Sequence, residues 1–352
     1  MIFERLLGIV SVDLGIDLGT ANTLVCTSQS GIVLNEPSVV AVNTRTGKVM
    51  NDGMAVGQVA KEMLGRTPGG IAAVRPLKDG VISDFEVTEA MLRYFIRKAT
   101  GKKWVSPRVV IAIPGGITQV EKRAVKLAAE RAGGRRIYLV AEPFAAAIGA
   151  GLPVSDPTAS MIIDIGGGTT DVAIISLADV SVSQSVRVAG DDFDEAIVEH
   201  MKKNYNMAIG PTTAEQIKVE IGSAGPEDGF DESQPMQVRG RDLIGGLPRK
   251  VDITPEEIRE ALSEPVSRIV EAVTRTLEQC PPELAADLVQ NGITLAGGSA
   301  LLRGLPRVIS TATGLDAKLA DDPLTCVARG TSVFIDNLET FKETMESDED
   351  DY

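Results

Sequence analysis

The sequence predicts an α/β protein of two lobes. Buried strands alternate with helical patterns along most of the chain, and this alternation is typical of sheets covered by helices. The chain has 352 residues, which is longer than a single hydrophobic core usually supports, so we expect two lobes. One turn pattern, an apolar strand followed by Asp-x-Gly, occurs at Asp17 and again at Asp164. The spacing is the length of a domain, which predicts one copy of the turn in each lobe.

The first half of the chain begins with strands. Residues 12–42 contain β-rich runs bounded by Gly, Asn or Ser, which predict consecutive antiparallel strands. The runs are "VDLGID", "TLVCTS" and, as one strand from residue 31, "GIVLNEPSVVAVN". Residues 43–75 are richer in Gly, Thr and Met and predict a small insertion made of a hairpin and a helix. A helix follows, and Ser83 is its predicted N-cap because Glu86 lies three residues further on.

Two strand–helix pairs come next. The continuous apolar run at 108–114 predicts a buried strand, and the helix after it is predicted to end at Gly133. A second buried strand, "RIYLVAE", precedes a helix of small residues opened by Pro143.

The second half repeats this plan. Strands are predicted over 160–190, a helix over 191–205, and an insertion with turn residues and short strands over 206–251. Thr254 and Glu257 predict a capping box at the start of a long helix. A last apolar strand, "GITLAGGSALL", runs into a helix.

The composition disfavours several classes of function. There are 35 basic and 49 acidic residues, and the net charge of −14 disfavours nucleic acid as a partner. Three scattered cysteines without metal-ligand spacing predict a cytoplasmic protein, and no apolar run is long enough to cross a bilayer. The single histidine, His200, excludes a Ser-His-Asp or Cys-His arrangement. Residues 343–352 are expected to form an acidic, disordered tail.

Both Asp-x-Gly turns suit a phosphate chain. Their glycines let the main chain approach phosphate oxygens, and neighbouring Thr and Asn side chains can donate hydrogen bonds. A carboxylate beside phosphate needs a cation between them, so Asp17 and Asp164 are predicted to face Mg²⁺ through water. Neither turn matches a Walker A loop or Gly-x-Gly-x-x-Gly. For either turn alone, a plain glycine hairpin is the alternative.

A third glycine-rich element follows the last apolar strand. Gly297 and Gly298 would let the backbone lie against a flat base or sugar, although the same pattern also occurs in ordinary packing. Together with the two turns it predicts a nucleotide cleft between the lobes.

The segments "DLGTAN", "DIGGGTTD" and "LAGGSA", together with "EPFAAAIGAGLP", resemble the actin, Hsp70 and sugar-kinase superfamily of ATPases. Within that superfamily the chain is similar, over nearly all its length, to the bacterial actins of rod-shape determination. The resemblance implies an actin-like, duplicated RNase H-like fold with two small insertion subdomains. Its implied boundaries are 11–42, 76–146 and 322–342 for subdomain IA, 43–75 for IB, 147–190 and 252–321 for IIA, and 191–251 for IIB.

The resemblance also implies site residues. Glu142 matches the position that orients the attacking water, and Asp164 is implied to act beside it. The alternative for Glu142 is a purely structural role, in which a carboxylate at the start of a helix is favoured by the helix dipole. Glu215 and Lys218 would face the nucleoside. The remaining implied contacts are Asp17, Gly19, Thr20, Ala21 and Asn22 in the first turn, Gly166, Gly167, Gly168, Thr169 and Thr170 in the second, and Gly297, Gly298, Ser299 and Ala300 beside the adenosine.

The implied function is that of a cytoskeletal filament. The protein would bind ATP or GTP with Mg²⁺, polymerise into paired protofilaments, and hydrolyse the nucleotide slowly on assembly. It would lie under the cytoplasmic membrane and organise cell-wall elongation through transmembrane partners. A plasmid-segregating actin, a small-molecule kinase and an Hsp70-type chaperone are the alternatives from the same superfamily.

Two stretches predict contact with a membrane. At the N-terminus, residues 1–10 are predicted to form an amphipathic anchor, since Ile2, Phe3, Leu6 and Leu7 would share one face of a helix. Trp104 and Val105 lie beside two lysines in a predicted loop, a mixture favoured at membrane interfaces. A disordered N-terminus and a packed tryptophan are the alternatives.

Overall fold

The computed structural model describes residues 12–28, 30–53, 55–101, 105–227, 229–338 and 346–347. The strands are β1 (Leu14–Leu18), β2 (Asn22–Thr27), β3 (Gly31–Pro37), β4 (Val40–Asn43), β5 (Ile71–Val74), β6 (Leu77–Lys78), β7 (Val81–Ile82), β8 (Arg108–Ile113), β9 (Arg136–Ala141), β10 (Ser160–Ile165), β11 (Thr170–Ser176), β12 (Asp179–Val186), β13 (Met207–Ala208), β14 (Met236–Asp242), β15 (Pro248–Ile253), β16 (Ile293–Ala296), β17 (Ala317–Leu319) and β18 (Glu346–Ser347). The helices are α1 (Met50–Gly53), α2 (Gln58–Lys61), α3 (Phe85–Thr100), α4 (Gln119–Ala132), α5 (Glu142–Gly149), α6 (Gly190–Tyr205), α7 (Pro211–Ile221), α8 (Pro255–Glu278), α9 (Pro282–Asn291), α10 (Leu305–Thr313) and α11 (Cys326–Asp336).

Two sheets of the same plan form the two lobes. In lobe I the order is β18-β9-β8-β1-β2-β3, and in lobe II it is β12-β11-β10-β16-β17. In each lobe an antiparallel three-strand meander continues into two parallel strands, β8 and β9 beside β1 and β16 and β17 beside β10. The duplication predicted from the two turns is therefore a duplication of sheet topology.

Each lobe has its own apolar core, and a third core joins them. The third cluster lies around α5 and α11 and includes Phe144 and Phe334, whose ring centroids are 5.9 Å apart. These two helices approach closely through glycines. A Cβ atom on Gly149 would lie 1.8 Å from the Cys326 carbonyl oxygen, and one on Gly330 would lie 1.9 Å from that of Ala145.

Each lobe contains a small insertion. In lobe I, β4 and β5 pair and α1 and α2 lie between them in sequence. In lobe II, β13, β14 and β15 form a three-stranded sheet next to α7. The capping box predicted for α8 is confirmed, since the Glu257 amide donates to the Thr254 hydroxyl and the Glu257 carboxylate accepts from the Thr254 amide.

Three local predictions are wrong. The N-cap of α3 is Asp84 rather than Ser83, and its carboxylate accepts the Val87 N–H at 3.1 Å. The apolar run at 31–43 divides at Pro37, because proline offers no N–H to a ladder, and its halves join different sheets. In the predicted disordered tail, Glu346 and Ser347 pair with Leu139 and Tyr138 of β9.

Several predicted features lie outside the described residues. They include the anchor at Ile2, Phe3, Leu6 and Leu7, the side chain of Trp104, and the rest of the acidic tail. Within the described ranges, every helix is too short or too polar to cross a membrane.

Candidate functional site

A cleft of about 490 Å³ separates the lobes, and the predicted residues meet in it. The turn between β1 and β2 lies on the lobe I side, and the turn between β10 and β11 faces it from lobe II. The described lining contains these predicted residues: Asp17, Gly19, Thr20, Ala21, Asn22, Glu142, Asp164, Gly166, Gly167, Gly168, Thr169, Glu215, Lys218, Gly297, Gly298 and Ser299.

The two turns touch one another at glycines. A Cβ atom on Gly167 would lie 2.8 Å from the Ala21 Cβ, and one on Gly168 would lie 2.8 Å from the Thr20 Oγ1. Any side chain at these two positions would therefore push the lobes apart. The glycines serve this close approach of two backbones as well as any contact with phosphate.

The third glycine element completes the lobe II wall. Gly297 has a φ of 86°, and a Cβ atom there would lie 2.3 Å from the Ile165 carbonyl oxygen. The Ser299 hydroxyl donates to the Gly166 carbonyl oxygen at 2.7 Å, which fixes this element to the second turn.

Two predicted contacts do not reach the cleft. Ala300 is fully buried and belongs to the core of lobe II, because the short 3-10 turn after Gly297 directs it inward. Thr170 is also fully buried, and its hydroxyl donates to the Val188 carbonyl oxygen at 2.7 Å. Both residues are packed in the interior next to residues that line the cleft.

Several carboxylates that line the cleft carry raised pKa values: Asp17, Asp164 and Glu142 at its centre, and Asp194 beside Lys218. Burial raises the pKa of Asp17 to about 7. The pKa values of Asp164 and Glu142 are raised well above their usual range, mainly by burial and further by the repulsion of neighbouring carboxylates. No cation among the described residues is close enough to lower the pKa of Asp17, Asp164 or Glu142. These three carboxylates would therefore be stabilised in their charged form by a bound cation.

This donor set fits Mg²⁺ that takes its other ligands from water and phosphate. No group of three or more His, Cys, Asp or Glu side chains in the described ranges is arranged to hold a metal by itself. Two carboxylates, Asp17 and Asp164, are available in the cleft, and Mg²⁺ commonly binds through one or two carboxylates plus substrate phosphates.

Ion pairs join the walls at the mouth of the cleft. Glu215, predicted to face the nucleoside, is paired with Lys61 of α2 at 3.0 Å, and Arg75 is paired with Asp191 at 2.6 Å. Both pairs connect lobe I with lobe II. Lys218 lies 2.9 Å from the Asp194 carboxylate and donates to the Gly190 carbonyl oxygen at the same distance.

Sequence reasoning missed several of these residues. The cleft lining also contains Lys61, Arg75, Asp191 and Asp194. No motif marks them, because their ion-pair partners are far away in the sequence: 154 residues for Lys61, 116 for the Arg75–Asp191 pair, and on a different helix for Asp194, which pairs with Lys218. Asp171 was also missed, although it closes the segment "DIGGGTTD". A second acidic residue at the end of that turn was the available signal.

We expect the nucleotide-free protein to gain stability as the pH falls from about 8 to 6. Burial raises the pKa values of Asp17 and Asp171 to about 7 and about 6, so these carboxylates bind protons in the folded protein. In the unfolded chain, where the pKa of an Asp carboxyl group is near its ordinary 3.8, they do not. Their stabilising effect is complete below the unfolded pKa and is lost as pH rises through the folded pKa. The lowered pKa of His200 acts in the opposite direction, but it is one group.

Scanning calorimetry without Mg²⁺ or nucleotide tests this expectation, with a rise in melting temperature of about 2 °C as the predicted result. The Asp17→Asn variant is the control, and its pH dependence should be shallower. A melting temperature that does not change, or that falls, between pH 8 and 6 would contradict the pKa shifts.

Comparison with known proteins identifies the family. The model of the MreB/Mbl protein family matches residues 11–343. This chain belongs to the MreB/Mbl family. It is 55% identical to the cell shape-determining protein MreB of Escherichia coli K12 over 329 residues, which cover 93% of this chain and 94% of that protein. It is 48% identical to the cell shape-determining protein Mbl of Bacillus subtilis 168 over 328 residues, covering 93% and 96%.

Solved structures agree with this MreB/Mbl assignment. MreB5 of Spiroplasma citri bound to AMPPNP is 41% identical, has a TM-score of 0.87, and is matched over 95% of this chain and 98% of that one. The MamK double helical filament, 24% identical with a TM-score of 0.77 and matched over 92% and 98%, shares the fold. The predicted actin-like fold is confirmed.

Proposed function

We propose that this chain is a cell-shape protein of the bacterial cytoskeleton that binds ATP with Mg²⁺ in the interlobe cleft and polymerises. The observation that carries the proposal is the pair of Asp-x-Gly turns facing each other across the cleft, where no cation among the described residues lowers the raised pKa of Asp17 or of Asp164. Two relatives are named cell shape-determining proteins, MreB5 has been solved with AMPPNP and ADP, and MamK has been solved as a filament.

The residues of the cleft would have separate roles in ATP hydrolysis. The backbone of Gly19 and of Gly166–Gly168 would hold phosphate oxygens, and the Thr20 and Thr169 side chains lie at the same turns. Bound Mg²⁺ would neutralise charge on the phosphates. Glu142, held at the start of α5 and 7% exposed, would orient the attacking water. Phosphoryl transfer needs mainly such positioning and charge neutralisation, which suits a slow ATPase.

The assembly experiment compares nucleotide states. With Mg²⁺ and ATP or AMPPNP, we expect the protein to sediment and to form paired protofilaments by electron microscopy, and with EDTA we expect it to stay in the supernatant. GTP in place of ATP establishes the base preference. Monomers alone under every nucleotide condition, with lipid present, would refute the filament function. Strong stimulation of ATP turnover by one sugar or acid without polymer would favour the kinase alternative.

We also propose that the filament lies on the cytoplasmic face of the membrane, where it contacts transmembrane proteins of cell-wall elongation. Val105 is half-buried and follows the predicted tryptophan anchor. Individual anchors of this size bind weakly, but a polymer combines many of them. Deletion of residues 1–8 together with Trp104→Ser is expected to abolish sedimentation with liposomes while sedimentation of filaments continues. Full binding by that variant would remove both anchors from the proposal.

A further inference from the structure

Asp171 is a buried carboxylate that the proposed chemistry does not use. It lies near the start of β11, is 2% exposed, and is the register partner of Asp164 in β10. It does not line the cleft, so it would not touch nucleotide. Its Oδ2 atom is buried and has no hydrogen-bond partner among the described residues. Buried polar atoms are rarely left in this state, and those that are need an explanation.

The other oxygen of Asp171 connects the two lobes. Oδ1 accepts the backbone N–H of Gly115 at 2.8 Å, and Gly115 belongs to the loop 114–118 of lobe I between β8 and α4. The packing around this bond is tight, since a Cβ atom on Gly116 would lie 2.9 Å from the Ser185 Cβ. A second link lies beside it, between Arg187 and Glu121 at 3.5 Å.

Asp171 is also next to the residues of the proposed reaction. The hydroxyls of Thr169 and Ser185 are near enough to lower its pKa against the effect of burial. Among neighbouring charges, Asp171 has the largest effect on the pKa of Glu142, ahead of Asp164 and Asp17. The same carboxylate therefore faces the second turn, the water-orienting glutamate and the loop of the opposite lobe.

Thr169 itself is in contact with lobe I. A Cβ atom on Gly80 would lie 2.8 Å from the Thr169 Cγ2 and 2.7 Å from the Pro114 Cγ. Pro114 precedes Gly115 directly, so the loop that donates to Asp171 also packs near the second turn. When the lobes separate, the N–H donor of Gly115 and this packing would be lost together.

We propose that Asp171 is a positioning residue that makes hydrolysis depend on closure of the lobes. With the lobes closed, the Gly115 N–H fixes Oδ1, and the fixed carboxylate presents Oδ2 to the Thr169 hydroxyl and Glu142. With the lobes open, the carboxylate loses this anchor and the two residues lose their alignment. The proposal rests on the proposed ATPase function, but the Gly115 link can be measured without turnover.

The experiment compares Asp171→Ala and Asp171→Asn in the full chain. For Asp171→Ala we expect single-turnover ATP hydrolysis to fall about tenfold or more while the nucleotide Kd stays within about threefold. Amide hydrogen exchange of residues 114–118 with AMPPNP bound should speed up about tenfold. Asp171→Asn keeps an oxygen that accepts from Gly115, so protection should return and part of the hydrolysis rate with it.

Asp13→Asn is the matched control. Asp13 is also buried and also accepts a backbone N–H, that of Arg108 at 3.1 Å, but its partner lies in the same lobe. Its replacement should lower stability without slowing hydrolysis. Unchanged hydrolysis in Asp171→Ala, an equal loss of hydrolysis and affinity, or unchanged exchange of 114–118 would each overturn the proposal. If the wild-type protein does not hydrolyse ATP, the proposed function fails, and the exchange measurement alone decides the link.

Discussion

Replacing Asp164 by Asn is expected to weaken binding of Mg²⁺-ATP about tenfold or more and to raise the melting temperature of the nucleotide-free protein. The carboxylate is 6% exposed, and burial and the repulsion of Asp17 and Asp171 raise its pKa well above the usual range. The charged Asp164 carboxylate destabilises the protein when the cleft is empty. Bound Mg²⁺ would neutralise this charge, so the carboxylate would favour Mg²⁺ binding. Asn has the same shape without the charge, so the two effects should separate.

Isothermal titration with and without Mg²⁺ measures the first effect, and calorimetry of the empty protein measures the second. In EDTA, the loss of affinity should disappear, because the removed carboxylate repels phosphate when no cation lies between them. Asp13→Asn is the control for a buried carboxylate outside the cleft, and it should lower the melting temperature instead, since Asp13 is paired with Arg108. Equal weakening of ATP in Mg²⁺ and in EDTA would remove Asp164 from the metal site.

Replacing Gly330 by Ala is expected to destabilise the whole protein by about 3 kcal/mol. Gly330 lies inside α11, where alanine ordinarily favours a helix by about 1 kcal/mol, so helix propensity predicts the opposite sign. The new methyl group would meet the Ala145 carbonyl oxygen at 1.9 Å, and backbone cannot move aside as a flexible side chain can. The two helices would separate, and the core between the lobes would open.

Urea unfolding compares this variant with Gly69→Ala, where nothing lies within 4 Å of the new Cβ atom. The control should unfold at the wild-type urea concentration. We also expect Gly330→Ala to bind nucleotide weakly, because α5 carries Glu142 at its start and the separation would displace it. A variant as stable as the control would show that α5 and α11 can shift at little cost.

Local sequence patterns were sufficient for much of the fold. Short continuous apolar runs predicted the buried strands, and apolar residues at helical spacing predicted the helices. The capping box at Thr254 and Glu257 could be predicted because its partners are three residues apart. The cap of α3 was assigned to the wrong residue, since Ser83 and Asp84 are both good caps and only the geometry selects Asp84.

The sequence by itself predicted that two Asp-x-Gly turns and a third glycine element line one cleft between the lobes of a duplicated α/β fold. The tertiary structure alone decided which neighbours these residues have. It paired Glu215 with Lys61, turned Ala300 and Thr170 into the interior, and joined Asp171 to Gly115. The reason is physical: turn chemistry and hydrophobic period are local properties of the chain, whereas ion pairs and hydrogen bonds between lobes depend on how two separately folded sheets pack.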